Sequence, residues 1–192
     1  LVALEDGRGE VRRAGWLCLV ATHVGTAFLM VFFAWLAVLA GTFDFAAPPA
    51  ADAISAARGW LFALALVGFG TKAGLVPVHV WLPEAHPAAP SHVSAVMSGA
   101  MIATGIYGIL RAIELLGPLP GGWGLCLIVI GALTGIVGAL YAFAQDDLKR
   151  LLAYSSVENM GIALLAIGAG VLGVAEGSAA MAALGFGAAL LH

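Results

Sequence analysis

The sequence predicts an all-α, multi-pass membrane protein, and three observations predict it. First, 62% of the residues are hydrophobic and 10% are charged, with a mean hydropathy of +1.04. Second, the apolar residues fall into runs of about 20, the length an α-helix needs to cross ~30 Å of hydrocarbon. Third, the connectors between runs are rich in Gly, Pro and charge, which is loop chemistry. A water-soluble domain of this size carries about 25% charged residues. This chain cannot cover its surface with polar groups, so its solvent is largely lipid. Its formal net charge of −3 leaves no basic excess for binding nucleic acid. Cys18 and Cys126 lie inside apolar runs and read as packing residues rather than a disulfide or metal site.

Taken in order, the chain reads as one transmembrane domain over 1–192, a bundle of about six helices. It reads as an internal piece of a longer membrane protein, truncated at both ends, and is not expected to fold alone. Residues 1–13 (LVALEDGRGEVRR) read as a cytoplasmic loop. The first helix is predicted at 14–40. Gly41, Asp44, Pro48, Pro49 and Asp52 mark a loop over 41–58. The second helix, 59–82, is interrupted ahead of Pro77. PEAHPAAPSH at 83–92 is a proline-rich connector, and Ser91 is placed to cap the third helix, 93–116. GPLPGG at 117–122 breaks the chain before the fourth helix, 123–144. QDDLKR at 145–150 is a charged turn whose acids precede the fifth helix, 148–174. The sixth, 178–192, begins near Ser178.

Alternation places Arg8, Arg12, Arg13, Lys149 and Arg150 on one side, and Arg58 and Arg111 on the other. The first side is therefore expected to be cytoplasmic. Small residues at four-residue spacing (Ser91, Ala95, Gly99, Ala103, and the pair Gly131 and Gly135) predict close helix–helix packing.

Lys72 is the residue that asks for a function. It has eleven uncharged residues on each side and no charge after it until Glu84. Some thirteen residues into its helix, it lies roughly 20 Å deep at 1.5 Å per residue. A charged Lys at the membrane centre costs about 2.5–3.5 kcal/mol. It is expected to face the bundle interior, where its charged and neutral forms are close in energy and it can take and release a proton. The plainer readings, an amine snorkelling to the nearer interface or a static ion pair, stay open. Pro77 lacks a backbone donor and would clash with the carbonyl of Ala73, and Gly70 and Gly74 loosen the same turn. Broken helices at membrane depth are tolerated where they line protein or a wet cavity, and they recur at transporter ion sites.

Other polar groups are weaker candidates. Glu158 follows Arg150 by eight residues and reads first as a carboxylate paired with Arg150 or Lys149. His23 reads first as a helix–helix hydrogen-bonding group and second as a proton relay; His192, near mid-depth, has the stronger relay reading. His79, Glu84, His86 and His92 gather around the proline-rich connector, but their spacing fits no metal motif. No phosphate loop, nucleophile elbow or cysteine cluster is present, so neither a cofactor nor a redox centre is expected in this chain.

GTKAGLVPVHVWLPEAHPAAPSHVSAVMSG at 70–99 and DLKRLLAYSSVENMG at 147–161 resemble two signatures of one family, the antiporter-like, proton-conducting membrane subunits of respiratory complex I and membrane-bound hydrogenases. PEAHPAAPSH with the following VSAVMSG is most similar to the hydrogenase-4 and formate hydrogenlyase branch. The resemblance covers nearly the whole chain. It implies that Lys72 is a central proton carrier on a discontinuous helix, paired with a glutamate on a helix before residue 1. It implies that His192 begins a line of relay groups, and that partner subunits, membrane and peripheral, carry the electrons. One position departs from the pattern. Many relatives carry lysine where this chain has Ala103, and some carry histidine where it has Ser98. A secondary cation/proton antiporter subunit and a non-conducting membrane anchor are the competing readings.

Overall fold

A computed structural model describes residues 9–44, 50–117 and 120–192. Their regular structure is entirely helical, running α1 (Gly9–Ala40), α2 (Ala51–Ile54), α3 (Arg58–Ala73), α4 (Trp81–Ala88), α5 (Ser91–Val96), a π-turn (Met97–Met101), α6 (Ile102–Leu116), α7 (Gly121–Phe143), α8 (Leu148–Ala175) and α9 (Ala179–Leu191). The π-turn joins α5 to α6, so Ser91–Leu116 is a single rod. This rod and α1, α7 and α8 are each long and apolar enough to cross a membrane. Large apolar side chains such as Trp16, Met30, Val38, Leu140 and Phe143 stand on the outer faces, where lipid rather than water suits them. The protein is an all-α, multi-pass membrane bundle with one discontinuous helix.

Local chemistry sets the helix ends. Asp147 accepts the Arg150 backbone N–H at 2.9 Å, so the charged turn caps α8. Ser178 does the same for α9 through the Met181 N–H. Two expectations at helix starts are corrected. α1 begins at Gly9, not at residue 14; Glu10 sits in its first turn, where the helix dipole favours an acid. Ser91 is the first residue of α5, not its cap; Pro90 takes the cap position without a side-chain bond. The parts of the expected loops at 1–8, 45–49 and 118–119 lie outside the described residues.

Two groups of helices make the bundle. α1, α3 and α6 form one and α7, α8 and α9 the other, with α4 and α6 packing across to α8. Glycine lets the backbones meet. A Cβ on Gly161 would lie 2.4 Å from the Gly135 nitrogen, and one on Gly131 would lie 2.5 Å from the Leu165 nitrogen, so α7 and α8 are in backbone contact. The stripe Ser91, Ala95, Gly99, Ala103 behaves differently from expectation. It is exposed among the described residues, and the opposite face, Val93, Met97 and Ile102, packs inward with Trp81, Leu82, Ala153 and Val157.

Candidate functional site

The break between α3 and α4 is a built structure. α3 stops at Ala73 because Gly74 adopts the left-handed conformation, φ 76° and ψ 36°. Gly74 N–H donates to Thr71 O at 3.3 Å, and Leu75 N–H reaches back to Gly70 O at 2.9 Å. The Leu75 side chain folds over Gly70, where an added Cβ would meet it at 3.3 Å. This is the glycine stop of a helix C-terminus. Two side chains distant in sequence hold the ends. Trp81, almost fully buried, donates its indole N–H to Thr71 O at 2.8 Å. Thr134 of α7, fully buried, accepts the Val76 N–H at 3.1 Å and donates to Ile130 O. The helix therefore ends at its glycine before the proline is reached, and Pro77 bars its continuation. Pro77 comes three residues after the glycine stop and is exposed.

Lys72 occupies the last turn of α3. That position favours a cation, since the aligned peptide dipoles leave the C-terminal end negative. Its side chain lines a groove of about 260 Å³ with Thr22, Thr26 and Leu29 of α1, Phe69 and Thr71 of α3, and Thr104 of α6. The lysine is exposed at the rim rather than enclosed, and no hydrogen bond or ion pair joins it to another described residue. Close crossings fix the groove. Gly25 and Gly68 bring α1 against α3, and a Cβ on Gly105 of α6 would lie 2.6 Å from the Ala73 nitrogen. The hydroxyls of Thr22, Thr26 and Thr71 are bonded to carbonyls in the preceding turn of their own helices.

The other sequence candidates lie apart from this groove. His23 is exposed and its Nδ1 meets Leu19 O of its own helix at 2.8 Å. Glu158 is half-buried on α8, and the expected pair with Arg150 or Lys149 does not form. Eight residues of helix separate Glu158 and Arg150 by about 12 Å. Arg150 instead reaches Glu84 of α4 at 3.3 Å, and Lys149 donates to Ala89 O at 2.9 Å. His192 lines a second groove, of about 450 Å³, together with Ala103, Tyr107 and Asn159. The histidine-rich connector is dispersed: His86 is buried against Ser94, Glu84 faces Arg150, and His92 is exposed. No three His, Cys, Asp or Glu side chains converge among the described residues. Sequence reasoning missed Thr134 and Trp81. Each is a hydrogen-bonding side chain in an apolar run, but no spacing in the sequence ties either to the break.

A glycine-stopped half-helix carrying a lysine, inside a bundle of apolar spans, is an arrangement that recurs in multi-pass membrane subunits. The comparisons narrow this to a family. Residues 1–191 match the family model described as NADH:quinone oxidoreductase/Mrp antiporter, transmembrane, and the chain belongs to that family. It is 48% identical over its whole length to 30% of an uncharacterized protein of Mycobacterium tuberculosis. It is 44% identical over 93% of its length to 27% of hydrogenase-4 component B of Escherichia coli K12. Among solved structures it resembles a chain of the Mrp complex from Dietzia sp. DQ12-45-1b, with a TM-score of 0.79, 29% identity, and coverage of 100% of this chain and 21% of that one. It also resembles a chain of respiratory complex I from Thermus thermophilus, with a TM-score of 0.74, 26% identity, and coverage of 99% and 43%. The chain spans under a third of the length of these two curated relatives. It is an antiporter-like integral membrane subunit sequence.

Proposed function

We propose that the protein containing this chain translocates protons as a membrane subunit of a redox-driven complex of the hydrogenase-4, formate hydrogenlyase or NADH-quinone oxidoreductase type, in a bacterial inner membrane. Its partners are the other membrane and peripheral subunits of that assembly, which hold the redox centres, together with lipid and no nucleic acid. Lys72 carries the proton. The observation behind this reading is the placement of its amine in the last turn of a helix that ends inside the bundle, over a groove lined by threonine hydroxyls. A carboxylate from outside these 192 residues completes the site. Its approach holds the amine charged, and its withdrawal or neutralisation releases the proton. His192, His23 and Glu158 are the further relay candidates, with His192 foremost because it lines a groove with Asn159.

Lys72→Ala in the full-length protein is expected to abolish proton translocation in inverted membrane vesicles while the complex still assembles. Wild-type pumping by that variant overturns the role. The likeness to an Mrp complex chain favours one alternative, a secondary cation/proton antiporter subunit without redox partners. Co-purification distinguishes them: iron–sulfur and hydrogenase-type subunits support the first reading, and a set of small membrane subunits alone supports the second.

A further inference from the structure

α4 is parted from its neighbours in sequence at both ends. The glycine stop and residues 75–80 part it from α3, and extended backbone at Ala89 (φ −80°, ψ 146°) and Pro90 (φ −54°, ψ 149°) parts it from α5. Its own hydrogen-bond ladder is thin: of its eight residues, Pro83 and Pro87 have no N–H to give. Its place is therefore set by what other elements hold. At its first residue, Trp81 donates to Thr71 O at 2.8 Å, the carbonyl of the peptide that joins Thr71 to Lys72. At its far end, the first turn of α8 supplies two bases. Lys149 Nζ donates to Ala89 O at 2.9 Å, and Arg150 meets both Glu84 oxygens at 3.3 Å. These two ties differ in strength. Lys149 is half-buried and its ammonium sits on the negative end of α4, where a cation serves the last carbonyls; the Arg150–Glu84 pair is exposed and weakened by water. His86 ties the same end to Ser94 of α5. α8 is itself fixed, with Asp147 capping its start and Gly161 in backbone contact with Gly135 of α7. Leu82, Ala85 and Ala89 of α4 belong to one buried cluster with Ala153 and Val157 of α8.

We propose that α4 is a strut and that Lys149 is a positioning residue for Lys72. The inference rests on the proton-translocating reading above and names a residue that serves it from a distance. Lys149 fixes Ala89. The eight residues of α4, about 12 Å of helix, carry that placement to Trp81. Trp81 in turn fixes the last turn of α3 through Thr71 O. Lys149 itself lines no part of the Lys72 groove. Two residues this far apart with no shared partner ordinarily act independently. A strut makes them one unit, because a bond at either end is of use only while the other end holds. The turn DLKR at 147–150 thereby serves the break as well as starting α8.

The test is a double-variant cycle on the full-length complex in inverted vesicles, with proton translocation read against redox turnover. Lys149→Met keeps the apolar stem and loses the charge and the donors. It is expected to lower translocation by about 10-fold, since a misplacement of about 1 Å can cost as much as 100-fold. Trp81→Phe, which loses the indole N–H, is expected to do the same. The two together are expected to lose no more than either alone, whereas independent effects would multiply to about 100-fold. Lys149→Arg, which keeps charge and donors, is expected to retain at least about half of the wild-type rate. If K149M does not assemble, Lys149→Gln carries the same cycle. Wild-type translocation in the Lys149 variant, an equal loss in K149R, or losses that multiply in the double variant overturns the strut. Lys72→Ala is measured alongside. Its loss of pumping, beside any of those outcomes, leaves the proposed function standing without the strut. Wild-type pumping in K72A overturns the proposed function itself.

Discussion

Gly74→Ala tests whether the break is built by its glycine. At φ 76° and ψ 36° a residue with a Cβ is strained by about 1–2 kcal/mol. The new methyl would also stand 3.0 Å from Leu82 Cδ1. That atom is the tip of a side chain, so it can give, but Leu82 is fully buried and has little room. Forcing it off its rotamer adds about 0.5–1.5 kcal/mol. The chain cannot escape by continuing α3 as a helix, because Pro77 has no N–H for the Ala73 carbonyl and its ring would strike it. The strain must therefore remain, and the expected loss is about 1.5–3.5 kcal/mol. The assay is unfolding of the purified full-length protein in mixed micelles by titration with SDS. Gly99→Ala is the control, since a Cβ there meets nothing within 4 Å and its backbone is helical. If G74A unfolds at the same SDS fraction as wild type, the left-handed stop is not what terminates α3.

Two further substitutions read the same structure. Thr134→Val keeps the shape but leaves the half-buried Val76 N–H without its acceptor; a loss of about 1 kcal/mol is expected in the SDS titration, with Thr134→Ser close to wild type. Gly161→Val places a side chain where the Gly135 nitrogen and the Gly131 oxygen already stand at 2.4 and 2.7 Å from its Cβ. Backbone cannot step aside as a rotamer can, so α7 and α8 must separate, and the expected cost of about 3 kcal/mol shows as lost assembled protein in membranes.

The spans were legible because lipid imposes a length and a composition that no soluble core imposes, and α7 over GGWGLCLIVIGALTGIVGALYAF states both. The break was legible as an event, from Lys72 beside Gly74 and Pro77. Its cause was legible in part: Gly70, Gly74 and Pro77 were all placed at the break, but a left-handed glycine looks like any other in sequence. The partners of the break were not legible at all. Thr134 and Val76 are 58 residues apart, and only the packing of α7 brings that hydroxyl to that N–H. The same limit hid the exchange of ion pairs. Helical spacing suggested Arg150 with Glu158, whereas the contact of α4 with α8 delivers Glu84. Patterns within one helix were readable, and choices made between helices were not. The stripe of small residues on α5 and α6 shows this limit too, for its spacing was correct and the face it presents to its neighbours was not.

The way α3 ends bears directly on what Lys72 can do. An ammonium at mid-membrane costs about 2.5–3.5 kcal/mol. A helix C-terminus beside it returns about 0.3–1 kcal/mol, and up to about 2 in partly buried geometry. The carbonyls of Gly70 and Thr71 are already engaged by Gly74, Leu75 and Trp81, so they have less to offer the amine than free ones. The break thus lowers the cost of the charge without cancelling it. Under the proposed function, the larger electrostatic effect on that amine is a carboxylate brought to it. At 4 Å and an effective dielectric constant of 20, such a carboxylate contributes about 4 kcal/mol, more than the remaining deficit. A helix running unbroken through this position would leave the deficit larger, and a fully satisfied ion pair buried within the chain would leave no switch. Under the proposed function, the glycine stop and the absence of a partner among the described residues leave Lys72 open to a charge brought from elsewhere.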